Sequence, residues 1–401
     1  MAITIQTVES ARDLATFITL PRRLYEGMKG YVAPLDFERR QLLDPQRAGF
    51  FADGEAAYFL AIRDGAPVGR ISAQIGPPSR ANGPGSASNG PDPVGLFGCF
   101  DGIDDPAASA ALLAAAEGWL RSRGRSVARG PFLLSINGES GLLIDGFDQP
   151  PMLLMPWHPP YLRSHLERAG YALAKRLDSS VLDLDSPDLK QKLALLGLER
   201  RRTAFTVRPM SMKNLASDIE QGRQLFNQSW ADNWGFVPVS VEEMGKLVDG
   251  FRQLLRPEYG VFVERGGKLV GFALFLPNIF DISADLGGSP NLIGWLKLAF
   301  RGAMSQFTSG RTVLFGVARD LLQTAAGSSV ALILVDELIK RAEKTRFRRV
   351  ECGWVLEDNR AMQAMIEWTG AKRIRRFGVF EKSLSPAPWS MRPEQDEQGW
   401  S

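Results

Sequence analysis

The chain has 401 residues, 44% of them hydrophobic, enough for one large domain or two medium ones. Its 48 basic and 45 acidic side chains leave a formal charge of +3, too near balance for a nucleic-acid footprint. Two cysteines, Cys99 and Cys352, and two histidines, His158 and His165, rule out a disulfide framework or a Cys/His metal cluster and leave little for a Ser/His/Asp triad. No metal and no nucleic-acid partner are therefore expected. Each cysteine lies in an apolar run and reads as a buried structural thiol. The opening MAITIQTVESARDL lacks the basic and apolar regions of a signal peptide, and no stretch reaches ~18 apolar residues, so a cytoplasmic location is expected.

In chain order, residues 57–75, AYFLAIRDGAPVGRISAQI, read as strand, glycine turn and strand, a β-hairpin. A Gly/Pro/Ser/Asn loop follows at 77–93. The strand VGLFGCFD then leads into the helical GIDDPAASAALLAAAEGWL, with Asp101, Asp104 and Asp105 at the junction. Ser135, Asn137 and Glu139 form a polar cluster after a further strand, in a loop that could cap a junction between modules. The helix YLRSHLERAGY ends at Gly170, a left-handed C-cap position, before the strand LDSSVLDL. SPDLKQKLALLGLERRR, centred on 185–202, is a charged, partly helical connector.

The same series then starts again. Residues 259–277, YGVFVERGGKLVGFALFLP, repeat the hairpin: Arg265 answers Arg63 and Gly271 answers Gly69, both at an offset of 202. Residues 361–371, AMQAMIEWTGA, repeat the later helix, with Glu367 and Gly370 at an offset of 200 from Glu167 and Gly170. Two matches in one order predict two modules, 1–184 and 203–384, each built as strand, helix, hairpin, strand, helix, strand, helix, strand. The Pro-rich tail 385–401 is expected to be poorly ordered. Inside the second module, NLIGWLKLAFRGAM at 291–304 sets Leu292, Leu296, Ala299, Phe300 and Ala303 on one face and Lys297 and Arg301 on another. It reads as a surface helix on the core, or as one lying on a bilayer or over a lipid tunnel.

Two junctions of the second copy carry the chemistry. The strand RTVLFGVARD meets the helix VALILVDELIKRAEK through Gln323-Thr-Ala-Ala-Gly-Ser, where small residues let backbone amides approach an anion at a helix N-terminus. Helix capping alone would also explain them. The strand RRVECGWVL meets EDNRAMQAMIEWTGA at Asn359, whose plain role is an N-cap. This element order and these two junctions resemble the GNAT superfamily. The loop is similar to the superfamily's Gln/Arg-x-x-Gly-x-Gly/Ala pattern, with Ala326 and Ser328 departing from it. Asn359, Met362 and Gly370 keep the spacing of its second signature, with Ala371 in place of Phe.

The resemblance implies an α/β (α+β) fold of two tandem GNAT-like modules, each a twisted mixed, mainly antiparallel sheet flanked by helices. It implies acyl-CoA as co-substrate, with Gln323, Ala326, Gly327 and Ser328 at the pyrophosphate, Asn359 on the pantetheine arm, and Val317 and Ala318 at the thioester carbonyl. Asn233, Trp234, Gly235 and Phe236 stand where the superfamily places its substrate-side loop. Ile366 replaces the tyrosine that serves many members as general acid. In the first copy, three aspartates and Pro159 replace the CoA-binding features, which makes it a shell for the second substrate or a structural unit. Amide formation needs a neutral amine, so a carboxylate base is expected, and Glu351 and Glu357 flank the second junction.

The runs YVAPLDFERRQLLDP, GPFLLSINGESGLLIDGF, MPWHPPYL, NWGFVPVS and VLEDNRAM are similar to a bacterial family of long GNAT proteins associated with ceramide synthesis. That implies acylation of the amine of a long-chain, sphingoid-type base, with peripheral contact at the inner membrane surface open to helix 291–304. Two alternatives stay open. One is an aminoacyl-tRNA-dependent or small-amine acetyltransferase of the tandem type, which the basic runs RFRR and KRIRRF would suit. The other is a non-catalytic acyl-CoA- or lipid-binding protein.

Overall fold

A computed structural model describes residues 2–76, 93–195 and 204–384. The tail expected at 385–401 lies outside them. The first half runs β1 (Thr4–Thr7), α1 (Ala11–Leu24), α2 (Asp36–Leu43), β2 (Glu55–Arg63), β3 (Ala66–Ile75), β4 (Val94–Gly102), α3 (Pro106–Arg121), β5 (Val127–Gly130), β6 (Leu142–Asp145), α4 (Tyr161–Arg168) and β7 (Ala172–Asp183). Helix α5 (Pro187–Leu195) occupies part of the expected connector. The second half runs β8 (Thr206–Pro209), α6 (Leu215–Ser229), α7 (Val241–Phe251), β9 (Gly260–Arg265), β10 (Lys268–Pro277), α8 (Leu292–Ala303), β11 (Ser309–Val317), α9 (Ala325–Ala342), β12 (Arg349–Leu356), α10 (Arg360–Trp368) and β13 (Lys372–Ser383).

Both repeated hairpins form, β2–β3 and β9–β10, each antiparallel. Both repeated helices end at a left-handed glycine, Gly170 at φ 86° and Gly370 at φ 82°. Each half carries a second helix before its hairpin that the sequence pattern does not give, and the second half adds a four-residue helix at Phe280–Ser283. Of the extra helices, α2 is half charged (DFERRQLL) and shows no sustained apolar stripe, whereas α7 carries Met244, Leu247, Val248 and Phe251 at helical spacing, a stripe the sequence reading passed over.

The strands join in one sheet in the order β1-β2-β3-β4-β5-β13-β7-β12-β11-β10-β9-β8, with β6 on the side of β13. The two halves exchange their last strands. β13 ends the second half but pairs with β5, and β7 ends the first half but pairs with β12. At the centre β7 and β13 lie antiparallel. Two ion pairs bind this seam, one partly exposed and one buried. Arg376 grips Asp178 of β7 with bonds of 2.7 and 2.9 Å. Arg375 of β13 pairs with Glu351 of β12, both buried.

Separate apolar clusters fill the halves: Phe97, Phe100, Leu112 and Phe380 in the first, Phe226, Phe262, Val330 and Leu334 in the second. Cys99 and Cys352 are free and half-buried, not fully buried as expected, and burial pushes both thiols up to about 11. Among the described residues no helix is long and apolar enough to cross a membrane.

Candidate active site

β11 and β12 run parallel and pair only from Ser309 to Thr312 against Arg349 to Cys352. Beyond that point they part. One edge of β11 stays bonded to β10, and Ala318 N–H donates to Val270 O at 2.9 Å. The other edge is held by the end of α6: Trp230 Nε1 donates to Phe315 O at 3.1 Å and Ser229 Oγ to Val317 O at 2.8 Å. In a strand the N–H and C=O of one residue share an edge. Val317 therefore turns its N–H toward the parting, while Ala318 has its own N–H engaged with β10.

Arg311 sits where the strands separate. It donates to Gly353 O at 3.1 and 3.0 Å, and to Leu153 O and Leu154 O of the first half at 2.9 and 2.7 Å. Its guanidinium lies 4.4 Å from the Trp354 ring centroid. Burial pulls its pKa down to about 10, against the opposing charge of Glu351.

The parting opens into a cavity of about 1000 Å³. That is at the upper end of ligand-pocket volumes, roughly 300–1,000 Å³. Leu314 and Phe315 line it from β11, Val355 and Leu356 from β12, and Leu338 and Ile339 from α9. The lining is mostly apolar, and both halves supply it: the loop 133–138 and α2 from the first, α6, α7 and α8 from the second.

The expected site residues divide into two groups. Asn233, Trp234, Phe236 and Asn359 line the cavity, as does Ile366, which stands in the place of the expected acid. Trp234, like Ile136, Trp354 and Leu356, packs against the apolar cluster of Phe132, Leu143 and Phe377. Its ring also faces the Arg129 guanidinium at 4.7 Å, which accounts for part of its setting structurally. Asn359 caps α10, its Oδ1 accepting from Met362 N at 3.1 Å.

Val317, Ala318, Gln323, Ala326, Gly327 and Ser328 lie outside the cavity wall, along the end of β11 and the start of α9. Thr324 is the N-cap there, accepting from Gly327 N at 3.1 Å. Gln323 adopts a left-handed φ of 63°. Gly327 is required, because a Cβ would sit 2.0 Å from Leu321 O. The first N–H groups of a helix have no intrahelical partner and face outward as anion donors. Thr324 leaves those of Ala325 and Ala326 to that role.

Neither predicted base faces the cavity. Glu351 is 1% exposed, ion-paired with Arg375 and bonded by Ser179 Oγ at 2.7 Å. Glu357 pairs with Arg176 at the surface, at 3.0 Å. In the first copy, Asp105 caps α3 through Ala107 N and pairs with Arg63, and Asp101 bonds Arg70. Of the polar loop, Ser135 and Asn137 line the cavity, whereas Glu139 is paired with Arg39 at 2.5 Å.

The comparisons with known proteins agree with this architecture. The chain is 35% identical over 384 residues to a bacterial ceramide synthase of Caulobacter vibrioides, covering 95% of this chain and 98% of that protein. The chain belongs to the bacterial ceramide synthase family. It is also 35% identical over 381 residues to protein YghO of Escherichia coli, covering 95% of each. No protein-family profile matches it. Among solved structures, a tandem GNAT protein from the clavulanic acid biosynthesis pathway superposes at a TM-score of 0.57 with 12% identity, covering 96% of this chain and all of that one. A GCN5-related N-acetyltransferase from Sphaerobacter thermophilus gives 0.52 and 12%, covering 96% of each. The tandem GNAT fold and the N-acyltransferase class expected from the sequence hold.

Sequence reasoning missed Arg311, Glu38 and Glu243. Arg311 lies in an apolar strand with nothing to mark it. The glutamates carried a signal: each is the third residue of the second helix of its half, an offset of 205 that the repeat could have revealed.

Proposed function

We propose that the chain transfers a fatty acyl group from acyl-CoA to the amine of a long-chain, sphingoid-type base, forming an amide as in ceramide synthesis. The observation that carries this reading is the mostly apolar cavity of about 1000 Å³ at the parting of β11 and β12. A small-amine acetyltransferase has no use for such a volume, and an aminoacyl-tRNA would not need an apolar lining. The start of α9 would take the pyrophosphate, Val317 N–H the thioester carbonyl, and Asn359 the pantetheine arm. The amine nitrogen attacks the thioester carbon, the C–N bond forms, and the C–S bond breaks to release CoA. No tyrosine stands at Ile366, which is tolerable because a thiolate is a good leaving group.

Glu351 and Glu357 remain candidate bases in this reading, but each would have to leave an arginine before taking a proton. The first half would act as the shell of the acceptor side, since its loop 133–138 and α2 form part of the wall. The same reading takes α8 as a peripheral bilayer contact. Its Leu292, Leu296 and Phe300 are 77%, 63% and 62% exposed, while Trp295 and Leu298 of the same helix line the cavity. The helix carries Lys297 and Arg301 and no acid.

The direct test is incubation with a fatty acyl-CoA and a long-chain amine, following free thiol release and the amide product by mass spectrometry. Release of thiol without amide would leave only a hydrolase, and no release at all would leave a binding protein. Asn359→Ala should weaken acyl-CoA affinity about tenfold by calorimetry, the loss of roughly one hydrogen bond. An unchanged affinity would remove Asn359 from the site.

A further inference from the structure

Four carboxylates line the cavity: Glu38, Asp218, Glu243 and Asp249. Asp218 is held by both terminal nitrogens of Arg208, at 3.0 and 2.9 Å. Asp249 is exposed at the outer end of α7. Among the described residues, Glu38 and Glu243 have no ion-pair partner. Glu38 has no hydrogen-bond donor either, and its neighbour Arg39 is already taken by Glu139.

Glu243 is built into its position. It follows Ser240, the N-cap of α7, whose Oγ accepts from Glu243 N at 3.1 Å. Its carboxylate accepts from Ser135 Oγ of the first half at 3.4 Å. Ser135 Oγ also accepts from Asn137 N at 3.2 Å, and Asn137 Nδ2 donates to Val237 O at 3.3 Å. Gly49 of the first half lies so close that a Cβ there would meet Glu243 Cα at 2.9 Å. The residue between Ser135 and Asn137 is Ile136, whose Cδ1 would lie 3.0 Å from a Cβ at Gly235 in the loop before α7. The loop from Trp230, bonded to β11, to Ser240, the cap of α7, therefore runs from the parted strands to this carboxylate.

We propose that Glu243, with Ser135 and Asn137, is the subsite for the acceptor's ammonium, and that its carboxylate takes the ammonium's proton before attack. The proposal rests on the acyl-transfer reading above. An R–NH₃⁺ group docks on a carboxylate that has hydroxyl and amide neighbours but no cation to displace. One proton passes to the carboxylate, giving R–NH₂ and a neutral carboxyl. The free amine then attacks the thioester, and CoA leaves as the thiolate. Burial raises Glu243 above the usual carboxylate range, opposed by Ser135 and Asn137, which makes it the better proton acceptor. Asp53 adds to that rise. On its own helix, Glu242 and Lys246 are exposed.

The test compares Glu243→Gln, Glu243→Asp and Glu242→Gln in the full chain, with a fatty acyl-CoA and a long-chain amine across pH. Glu243→Gln should lose roughly a hundredfold in kcat/KM for the amine. Its acyl-CoA affinity should stay unchanged, and the acidic limb of the wild-type pH–rate profile should disappear. Glu243→Asp should recover part of the rate together with that limb, and Glu242→Gln should match wild type. Ser135→Ala should raise KM for the amine more than it lowers kcat, and it keeps the subsite testable if Glu243→Gln folds poorly. A Glu243→Gln enzyme with wild-type rate and pH profile overturns the proposal. A wild-type chain that turns over no amine overturns instead the function on which it rests.

Discussion

The two halves build the same parting of parallel strands and then treat it in opposite ways. In the first half, β4 and β5 pair from Val94 to Leu96 against Val127 to Arg129. The chain then closes the gap itself: Phe132 N donates to Phe97 O at 2.8 Å. Gly98 is pressed so tightly against this crossing that a Cβ would fall 1.7 Å from Phe132 O. In the second half, among the described residues, no backbone hydrogen bond joins β11 to β12 beyond their pairing at Ser309–Thr312, and the gap becomes a cavity wall. The helix starts differ in the same sense. α3 begins with its own carboxylate, Asp105, capped and paired with Arg63, whereas α9 begins with the neutral Thr324 cap. A duplicated fold can thus keep its geometry while one copy fills the two places a thioester and a phosphate would need.

The largest expected effect lies at the seam that joins the halves. Arg375 reaches from β13, in the first half's part of the sheet, to Glu351 on β12 in the second. Both side chains are buried, so removing one strands the other charge. Arg375→Met should cost about 3–5 kcal/mol of stability. The double variant Arg375→Met/Glu351→Leu should recover much of it, read as the shift in thermal or denaturant midpoint. If the single change costs less than ~1 kcal/mol, the seam is not held by this pair, and Glu351 is freer for chemistry than its contacts suggest.

Next comes the phosphate-type junction. Ala326→Asp would place a carboxylate in the first turn of α9, at the end of the helix where α3 carries its N-cap Asp105. The added charge favours the helix itself by ~0.3–1 kcal/mol but repels an anion at the same place. Acyl-CoA affinity should fall tenfold or more, with the melting temperature unchanged or raised. Loss of both would mean simple misfolding, and unchanged affinity would move the pyrophosphate elsewhere.

Much of this contrast was legible in the sequence, because it is written in local chemistry. The hairpins, the C-cap glycines Gly170 and Gly370, the aspartates before α3 and the small residues before α9 all act within a few residues of themselves. The exchange of β7 and β13 was not legible. Strand pairing is non-local, and either strand would satisfy either half. The cavity was hidden for a related reason: its lining runs from Leu35 to Thr369 and reads, residue by residue, like core. The apolar face of α8 was visible as a stripe, but a stripe does not say whether it points in or out. Glu351 and Glu357 were picked by proximity to Asn359 in sequence, whereas the parted strands bring the cavity against α7, and with it Glu243.

The smallest expected effect is the most direct check on whether the first half binds cofactor. Asp105 caps α3, and its replacement by alanine should cost about 1 kcal/mol of stability. The accompanying loss of the Arg63 pair adds little, because that pair is partly exposed. If the first half holds no acyl-CoA, Asp105→Ala should leave acyl-CoA affinity and stoichiometry untouched, with one site per chain by calorimetry. If instead Asp105 merely blocks an otherwise competent site, its removal should unmask a second, weaker binding event. The closed gap at Phe132 predicts the first outcome, since removing a charge from the helix start does not reopen the strands behind it.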